Sequence, residues 1–552
     1  MMQNSCVLIL GAGLMQKPSI EAAKALGYKA VVVDANPYAV CVPFADRFEP
    51  IDLKNKDAVL ALAQSLGSDL AGVFTAGTDF STTVSYVAEK CHLPKQHSYQ
   101  AALNASDKIA MRTCFKEAAV PSPHFTQISR TEIASFIASG KLDELTFPSV
   151  VKPVDNMGAR GCRMIRSKEE FLPAVEEAVR ASRSGRAILE DYMMGSEYSI
   201  DAVVYHDTLT ITGFADRHIF YEPYFIEMGH TMPTSADENV KAELIACFAR
   251  GIKALGLTNG VAKADIKYTE KGPMIGEIAA RLSGGYMSGW TYPYASSLNL
   301  TKQALLIATG REPEDLLQHR RPLAIHDVPF GIYEVPCQQV SAERAWLSVP
   351  GIVKKVYGAD QATAVPFVQD TFLRAKEGSE VVFPRNNVEK CGNAISRAPT
   401  RELAVNASQT CAASFVLRLE APNQETDAFL AGKVLKSEKG FPPSLFTLEE
   451  TLRQNFVDSL SSLPDIEQDS PVLSQLPSVL ESVADSLEDC NHRSLKQTLR
   501  LFDQICPQHP VLNAKRFWSA LIRGGIQGAL YVADDTSFQL EQKTARHSRR
   551  NK

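Results

Sequence analysis

Residues 147–161, FPSVVKPVDNMGARG, join a short apolar run to a lysine and a glycine-containing loop. The apolar run predicts a strand that ends near Lys152, because Pro153 cannot donate a backbone hydrogen bond to a sheet. Gly158 and Gly161 let the following loop fold tightly, so that successive backbone N–H groups face one anion. A lysine before such a loop adds a mobile positive charge for phosphate. Alone, the pattern is more typical of an ordinary turn, and its interpretation depends on the surrounding segments.

The length and composition predict a multidomain globular protein. The chain has 552 residues, of which 45% are hydrophobic and 22% are charged, and its net charge is −5. Single cores stop growing at about 250–300 residues, so we expect three or four domains. The net charge gives no reason to expect nucleic acid or an anionic membrane as a partner. No apolar run reaches the roughly 20 residues of a membrane span.

The N-terminus and the cysteines predict a cytoplasmic protein. No basic residue precedes the first apolar run, which therefore predicts a buried strand and no signal peptide. The 11 cysteines are scattered, without a CxxC pair or a Cys/His cluster of zinc spacing. Such cysteines are typical of reduced, buried thiols.

The first hundred residues alternate between predicted strands and helices. Residues 6–11 (CVLILG) are typical of a parallel strand that is buried on both faces, and a helix is predicted from about Pro18 to Leu26. With the next strand, which closes on Asp34, they form a βαβ unit of dinucleotide-binding type. Gln16 replaces the third glycine of GxGxxG, which favours a Rossmann-like domain without a nicotinamide cofactor over a ribose-binding Asp34.

Two further segments have patterns suited to a nucleotide. Ser106 is the predicted N-cap of a helix with Lys108 in its first turn, where the helix dipole favours a nearby anion; a lysine there is nevertheless more often solvated. Residues 187–201 predict a strand, a short linker and a second strand. Such a linker can present backbone groups to an adenine edge, and a carboxylate after it can bind ribose hydroxyls.

Two predicted strands, residues 261–266 and 273–278, are joined by a short turn. Antiparallel pairing would place Asp265 beside Glu277, and a bound Mg²⁺ is the natural reason to bring two carboxylates together. The chain continues with an arginine and a flexible loop rich in N–H groups, which suit a carboxylate or a phosphate: Arg281, Ser283, Gly284 and Gly285.

The amino-acid composition changes beyond about residue 426, where the chain is rich in Ser, Leu and Glu. Apolar residues at helical spacing are more typical of a core or a partner surface than of a cofactor site: Leu448, Leu452, Phe456, Leu460 and Leu463. A further helix is predicted around Phe517 and Leu530, interrupted at Gly524 and Gly525. The last dozen residues are polar, end in basic groups and are predicted to be disordered.

In this order, the segments between residues 5 and 425 resemble the ATP-grasp superfamily, in the branch of biotin carboxylase, the carbamoyl-phosphate synthetase large chain and bacterial L-amino-acid ligases. The resemblance implies an α/β fold of four parts: a Rossmann-like pre-ATP-grasp domain (1–104), the ATP-grasp domain (105–324), a C-terminal α+β subdomain (325–425) and a helical extension with a disordered basic tail (426–552). It implies an ADP-forming ligase that makes C–N bonds through an acyl phosphate.

The resemblance also implies roles for single residues. The residues expected to contact ATP are Lys108, Lys152, Asn156, Gly158, Gly161, Glu190, Met193 and Glu197. Asp265 and Glu277 are the implied ligands of Mg²⁺, or of Mn²⁺ in its place. The implied catalytic residues are Arg281 and Lys152, and those facing the substrate are Glu227, Arg281, Ser283 and Gly284. A structural pair of Glu227 with His230 is an equally good interpretation.

One departure from the family pattern qualifies these roles. Family members commonly have E-x-N-x-R at the metal strand, whereas Ala279 stands in the asparagine position here and cannot bind a metal. Lys263 then either replaces part of the missing charge or lies at the surface. A nucleotide-binding regulatory or assembly protein without turnover is the alternative function. The implied partners are small-molecule carboxylate and amine substrates of unspecified identity, without nucleic acid or membrane, and a homodimer is compatible with the resemblance.

Overall fold

A computed structural model describes residues 5–94, 96–432 and 440–550, and they divide into two compact units. As far as these residues extend, unit 1 is drawn from Met1–Ile219, Gly229–Glu343 and Arg397–Ala404. Unit 2 is drawn from Phe220–Met228, Arg344–Ser396 and Val405–Lys552. The predicted domain boundaries at residues 104, 324 and 425 stay predictions.

Unit 1 begins with a four-stranded parallel sheet of order β3-β2-β1-β4. Its elements are β1 (Cys6–Leu10), α1 (Lys17–Ala25), β2 (Lys29–Val33), β3 (Arg47–Glu49), α2 (Lys56–Leu66), β4 (Leu70–Phe74) and α3 (Ser81–Lys90). Asp34, at the end of β2, accepts a hydrogen bond from the backbone N–H of Ala12 at 2.8 Å. The buried Gln16 side chain exchanges hydrogen bonds with the backbone of Ala76. Both side chains therefore hold loops of this sheet in place.

Two helices follow, α4 (Tyr99–Ser106) and α5 (Lys108–Glu117). Ser106 ends α4, and Asp107 is the N-cap of α5, where its carboxylate accepts from the N–H groups of Ile109 (2.9 Å) and Ala110 (3.0 Å). The prediction of Ser106 as the N-cap is therefore wrong. The hydroxyl of Ser106 donates instead to the carbonyl of Ala102 in α4, which leaves the cap to the carboxylate one residue later.

A second, antiparallel sheet of order β5-β8-β6-β7 contains the glycine-loop stretch. Its elements are β5 (Phe125–Ser129), α6 (Ile133–Ala138), β6 (Ser149–Pro153), β7 (Arg163–Ile165), α7 (Phe171–Ala181) and β8 (Arg186–Asp191). The apolar stripe of α7 packs on this sheet. Strand β6 ends at Pro153, and Lys152 precedes that end.

The largest antiparallel strands of unit 1 follow, with β12 between β13 and β9, and β9 next to β10. The elements here are β9 (Ser196–Tyr205), β10 (Thr208–Phe220), β11 (Ile226–Met232), α8 (Glu238–Leu255), β12 (Gly260–Thr269) and β13 (Gly272–Ala279). Helix α8 packs its apolar face on β12 and β13. Asp265 and Glu277 are direct partners in the β12–β13 register, as the sequence predicted.

The chain then forms a π-helical turn (Met287–Thr291) and the elements α9 (Tyr292–Ser296), α10 (Leu300–Ala308), α11 (Glu314–His319), β14 (Arg321–Pro322), β15 (Gly331–Glu334) and β16 (Val340–Trp346). Helix α10 packs on α1 and β4, so that this segment and the N-terminal sheet share one apolar core.

Unit 2 contains a sheet of order β19-β17-β21 and the antiparallel pair β18–β20. The remaining elements are β17 (Gly351–Tyr357), α12 (Ala359–Thr363), β18 (Val368–Leu373), β19 (Glu380–Val381), β20 (Gly392–Ala398), α13 (Arg401–Ser414), β21 (Val416–Leu419), α14 (Gln424–Leu430), α15 (Glu450–Ser459), α16 (Ser478–Glu481), α17 (Leu495–Ile505) and α18 (Ala514–Arg550).

One core joins the early and late segments of unit 2. Trp346 stacks on Phe415 with ring centroids 4.3 Å apart, and Phe441 and Tyr531 belong to the same buried cluster. The backbone N–H of Val349 donates to Gln527 Oε1 at 3.1 Å. Residues 440–550, most of the helical extension predicted from residue 426, therefore share a core with the segment 345–420.

Helix α18 is kinked at Gly525, whose φ of 58° and ψ of −149° are not helical, at the predicted interruption. The helix continues to Arg550, and the predicted disorder of the tail stays a prediction. Lys, Glu, Gln, Ala and Arg have high helix propensity and sustain the polar end. Asn551 and Lys552 lie outside the described residues. Within the described chain, no helix is long and apolar enough to cross a membrane.

Candidate active site

Polar residues line one face of β9, β12 and β13. Side chains two residues apart in a strand point to the same face, so the strand register aligns them in rows. The cross-strand partners are Lys267 with Glu197, Asp265 with Ser199 and Glu277, and Lys263 with Asp201 and Ala279. Along β12, Lys263, Asp265 and Lys267 therefore alternate in sign on this face.

A buried ion network lies where β6, β8 and α5 meet. Lys152 Nζ lies 2.6 Å from Glu190 Oε2, and Arg112 Nε lies 2.9 Å from Glu190 Oε1. Glu190 is 4% exposed and Arg112 is fully buried. Burial alone would raise the pKa of Glu190, but Arg112 and Lys152 hold it below its ordinary value. The carboxylate is therefore ionised and fixes the Lys152 ammonium group.

Arg112 also reaches the strand that carries Glu277. Its Nη2 donates to the carbonyl oxygen of Gly276 at 2.6 Å. One guanidinium thus connects β8 with β13. Arg112 was not predicted from the sequence. It lies four residues after Lys108 on the buried stripe of α5, with Met111 and Phe115. A charged residue at an apolar position of a helix was the one pattern that could have indicated a buried ion pair.

Lys108 is buried, which excludes the solvated alternative. Its Nζ donates to the carbonyl oxygen of Asn156 at 3.0 Å and lies 3.7 Å from Glu277 Oε2. Burial would lower the pKa of Lys108, but the carboxylates of Glu277, Asp79 and Glu190 raise it above its ordinary value. The ammonium group therefore stays charged beside the glycine loop.

The glycine loop requires its glycines. Gly158 and Gly161 have φ values of 67° and 71°, which side chains rarely adopt. A Cβ at Gly161 would lie 2.6 Å from the Cβ of Ala181. Asn156 Nδ2 donates to the carbonyl oxygen of Ala181 at 2.8 Å. The start and end of the loop are thus packed against the end of α7.

The predicted adenine and ribose residues are held by cations. Lys267 Nζ donates to the carbonyl oxygen of Met193 at 3.2 Å and lies 3.3 Å from Glu197 Oε2. Arg217 Nη1 lies 2.6 Å from Glu197 Oε1. Neither Lys267 nor Arg217 was predicted, because each becomes a neighbour of Glu197 only through strand pairing.

The two predicted metal ligands differ in their surroundings. Asp265 pairs with Lys263 through Oδ2 and with Arg217 Nη1 through Oδ1, the latter at 2.8 Å. The Glu277 side chain is 30% exposed and forms a long ion pair with Lys108. Burial would raise the pKa of Glu277, but nearby cations, with Lys108 first, lower it to about 2. An ionised, partly accessible carboxylate suits Mg²⁺, whereas the Asp265 carboxylate is already neutralised.

The described residues contain no group of three or more His, Cys, Asp or Glu residues arranged for a metal ion. Mg²⁺ commonly uses one or two carboxylates together with substrate phosphates, and therefore needs no such cage. The residues present thus fit Mg²⁺ at Glu277 when a nucleotide supplies further oxygens.

Arg281 and its loop are anchored from two sides. Arg281 is 7% exposed, and its Nη2 lies 3.5 Å from Asp79 Oδ1.

The loop after Arg281 is held by Asp201. This buried carboxylate accepts from the backbone N–H of Ser283 at 3.1 Å and from its hydroxyl at 2.7 Å. Burial raises the pKa of Asp201 to about 6. Gly284 packs against Gly77 of the N-terminal domain, where a Cβ would lie 3.1 Å from Gly284 Cα.

The predicted pair of Glu227 with His230 is wrong. These residues are three apart in β11 and so point to opposite faces. His230 Nε2 lies 2.7 Å from Thr291 Oγ1, and its Nδ1 lies 3.3 Å from Glu343 Oε2. Glu227 lies in unit 2, where its backbone N–H donates to Asn387 Oδ1 at 2.8 Å. A substrate-binding role for Glu227 stays a prediction.

Comparison with known proteins places two parts of the chain in described families. Residues 145–289 match the ATP-grasp domain, and residues 345–420 match the L-amino acid ligase C-terminal domain 2. The chain is 23% identical to the uncharacterized protein y4rH of Sinorhizobium fredii, over 73% of this chain and 80% of that protein. It is 21% identical to human carnosine synthase 1, over 57% of this chain but only 40% of that protein.

Solved structures with the same fold include the L-amino acid ligase from Bacillus licheniformis, with a TM-score of 0.63 and 16% identity. The phosphoribosylglycinamide synthetase from Anaerococcus prevotii has a TM-score of 0.56 and 19% identity. Each match covers 76% of this chain and 100% of the other. The predicted fold class and family resemblance are confirmed.

Proposed function

We propose that this chain is an ATP-grasp ligase that joins a carboxylate to an amine, with an amino acid as the preferred acid. In the proposed reaction, the γ-phosphoryl group of ATP passes to a carboxylate oxygen and leaves ADP and an acyl phosphate. The amine nitrogen then attacks the acyl carbon, the C–O bond to phosphate breaks, and the amine loses its proton. The matches to an ATP-grasp domain and to an L-amino acid ligase domain support this class.

One observation carries the proposal: Lys108, Lys152 and Glu277 converge beside the glycine loop from three separate segments. The Arg112–Glu190 pair holds Lys152 on one side and the Glu277 strand on the other. Preorganised charges of this kind stabilise a phosphoryl group without rearranging during transfer. Burying these charges costs desolvation free energy. Such a cluster is therefore more typical of a ligand-binding site than of a structural role.

In this proposal each residue has a positional task. Lys108 and Lys152 bind phosphate oxygens, and the backbone N–H groups of Asn156 to Gly161 close over the terminal phosphates. Met193 and Glu197 meet the adenine and the ribose. Arg281, with the N–H groups of Ser283 and Gly284, orients the substrate carboxylate and then the acyl phosphate. Mg²⁺ bound through Glu277 would neutralise phosphate charge.

A second function is favoured by one observation. Ala279 offers no ligand atom, and Asp265 is neutralised by protein cations, so the site is poorer in metal ligands than the family pattern. A regulatory protein that binds ATP without turnover needs no more than this. The alternative is therefore ATP binding that biases assembly or partner choice.

Release of ADP and phosphate separates the two functions. The full chain is mixed with ATP, Mg²⁺ and L-amino acids taken in pairs. We expect pair-dependent release of ADP and phosphate that disappears in Arg281→Ala. Binding of ATP without release in any pair would favour the regulatory alternative.

A further inference from the structure

Asp265 is engaged with the protein on both carboxylate oxygens. Arg217 Nη1 lies 2.8 Å from Oδ1, and Lys263 Nζ contacts Oδ2. Arg217 also pairs with Glu197, so it is fixed by two carboxylates at once. The side chains of Lys263 and Arg217 are only 13% and 10% exposed, and neither cation can move freely into solvent. A metal ion that approached Asp265 would meet two cations already paired with its oxygens, and both would repel it.

Glu277, directly opposite Asp265, has a different environment. Glu277 forms an ion pair with Lys108 at 3.7 Å, which is longer than a direct charge-assisted hydrogen bond. Its side chain is also more exposed than that of Asp265, at 30% against 21%. Two carboxylates that the register makes equivalent are therefore unequal as ligands.

Lys263 occupies the place beside this pair. In the strand register it faces Asp201 on one side and Ala279 on the other. Ala279 contributes only a methyl group, so the position next to Glu277 along β13 holds no oxygen or nitrogen ligand. An ammonium group at this place repels a second divalent cation, and the repulsion between a unit and a double charge is large at short range.

We propose that the nucleotide site holds a single divalent cation at Glu277, and that Lys263 takes the place of a second cation by neutralising Asp265. The inference rests on the proposed function, because the cation is bound together with the nucleotide. It assigns Asp265 to the protein's own ion network and not to the metal.

Counting bound Mn²⁺ by electron paramagnetic resonance tests the proposal. The full chain is saturated with the non-hydrolysable analogue AMP-PNP and titrated with Mn²⁺. We expect one Mn²⁺ per bound nucleotide in the wild type. Glu277→Gln should weaken its binding at least tenfold, whereas Asp265→Asn should change it less than threefold.

Lys263→Met should admit a second Mn²⁺ per nucleotide. Lys271→Met, which replaces an exposed lysine in the turn of the same hairpin, should retain one. Two Mn²⁺ ions in the wild type, or equal losses in Asp265→Asn and Glu277→Gln, would overturn the inference, and these measurements do not depend on Lys263→Met folding. A chain that binds no AMP-PNP at all would overturn the proposed function, and the inference with it.

Discussion

The charged face of unit 1 and the apolar core of unit 2 are stabilised by opposite kinds of contact. In unit 1, Arg112 and Lys152 enclose a single buried carboxylate, Glu190. In unit 2, Trp346 stacks on Phe415 within a cluster that also buries Tyr531. Buried ion pairs are often no more stabilising than apolar residues of the same volume, whereas apolar burial contributes directly to stability. The core around Trp346 is thus held by packing, whereas the charged face of unit 1 retains charges that folding alone does not require.

The largest expected effect comes from removing the late segment of unit 2. Deleting residues 440–552 takes Phe441, Leu445 and Tyr531 out of the core shared with Trp346. Truncating one large buried side chain typically costs about 3–5 kcal/mol, so the loss of several exceeds the stability of a typical domain. We expect no soluble, folded unit 2, measured by soluble yield and near-ultraviolet circular dichroism. A chain ending at Leu540, which keeps Phe441, Leu445 and Tyr531 and loses the segment that begins with the exposed residues 541–547, should be unchanged. A soluble deletion variant with native ATP binding would show that residues 440–552 are not needed for folding or for the nucleotide site.

The second effect concerns the buried charges of unit 1. Arg112→Ala leaves Glu190 buried with one cation in place of two, and breaking a buried pair typically costs about 3–5 kcal/mol. We expect hydrogen exchange to accelerate in α5 and β8. The matched control is Arg453→Ala in unit 2, whose pair with Glu450 is exposed and therefore contributes little to stability. Equal effects of both variants would contradict the contrast between the two regions.

The third effect is a pH dependence that both units share. Burial lowers the pKa of His97, in unit 1, from 6.5 to about 4, although its bond to the Val261 carbonyl opposes the shift. The folded state favours the neutral ring. The contribution of His97 to the free energy of unfolding is therefore complete above pH 6.5 and is lost as the pH falls towards 4. The loss amounts to roughly 3 kcal/mol at pH 4.

His97→Gln should remove that dependence from the exchange protection of α4 and β12. In unit 2, burial, with Arg344 and Arg493, likewise lowers the pKa of His492 to about 4. His492→Gln should therefore change only the acid sensitivity of unit 2. If exchange protection changed by the same amount between pH 7 and pH 4 in the wild type and in His97→Gln, His97 would not be the cause of the acid sensitivity.

The ordered motifs made the fold and the pairing of Asp265 with Glu277 predictable, because strand and turn lengths determine which residues of a short hairpin face each other. The partners of these carboxylates were not predictable. Arg112 and Arg217 reach them across other elements, and their choice of partner depends on packing. His230 pairs with Glu343 in the same way, far from it in sequence.

Local signals also failed where two residues compete for one task. Ser106 and Asp107 are both good N-caps, and the backbone conformation decides between them. The apolar stripe beyond residue 440 predicted packing helices, but a helical period does not specify what surface the stripe covers. That surface is the core that α17 and α18 form around Phe502, Phe517 and Trp518.

Calorimetric titration of the full chain with AMP-PNP and Mg²⁺, compared between the wild type and Lys152→Ala, tests the central claim most directly. The account predicts that the wild type binds and that the variant loses about 1–3 kcal/mol of binding free energy, the range for a charge-assisted hydrogen bond. Lys168→Ala, which replaces an exposed lysine paired with Asp143, should bind as the wild type does. An unchanged dissociation constant in Lys152→Ala would contradict the claim that Lys152 binds the nucleotide.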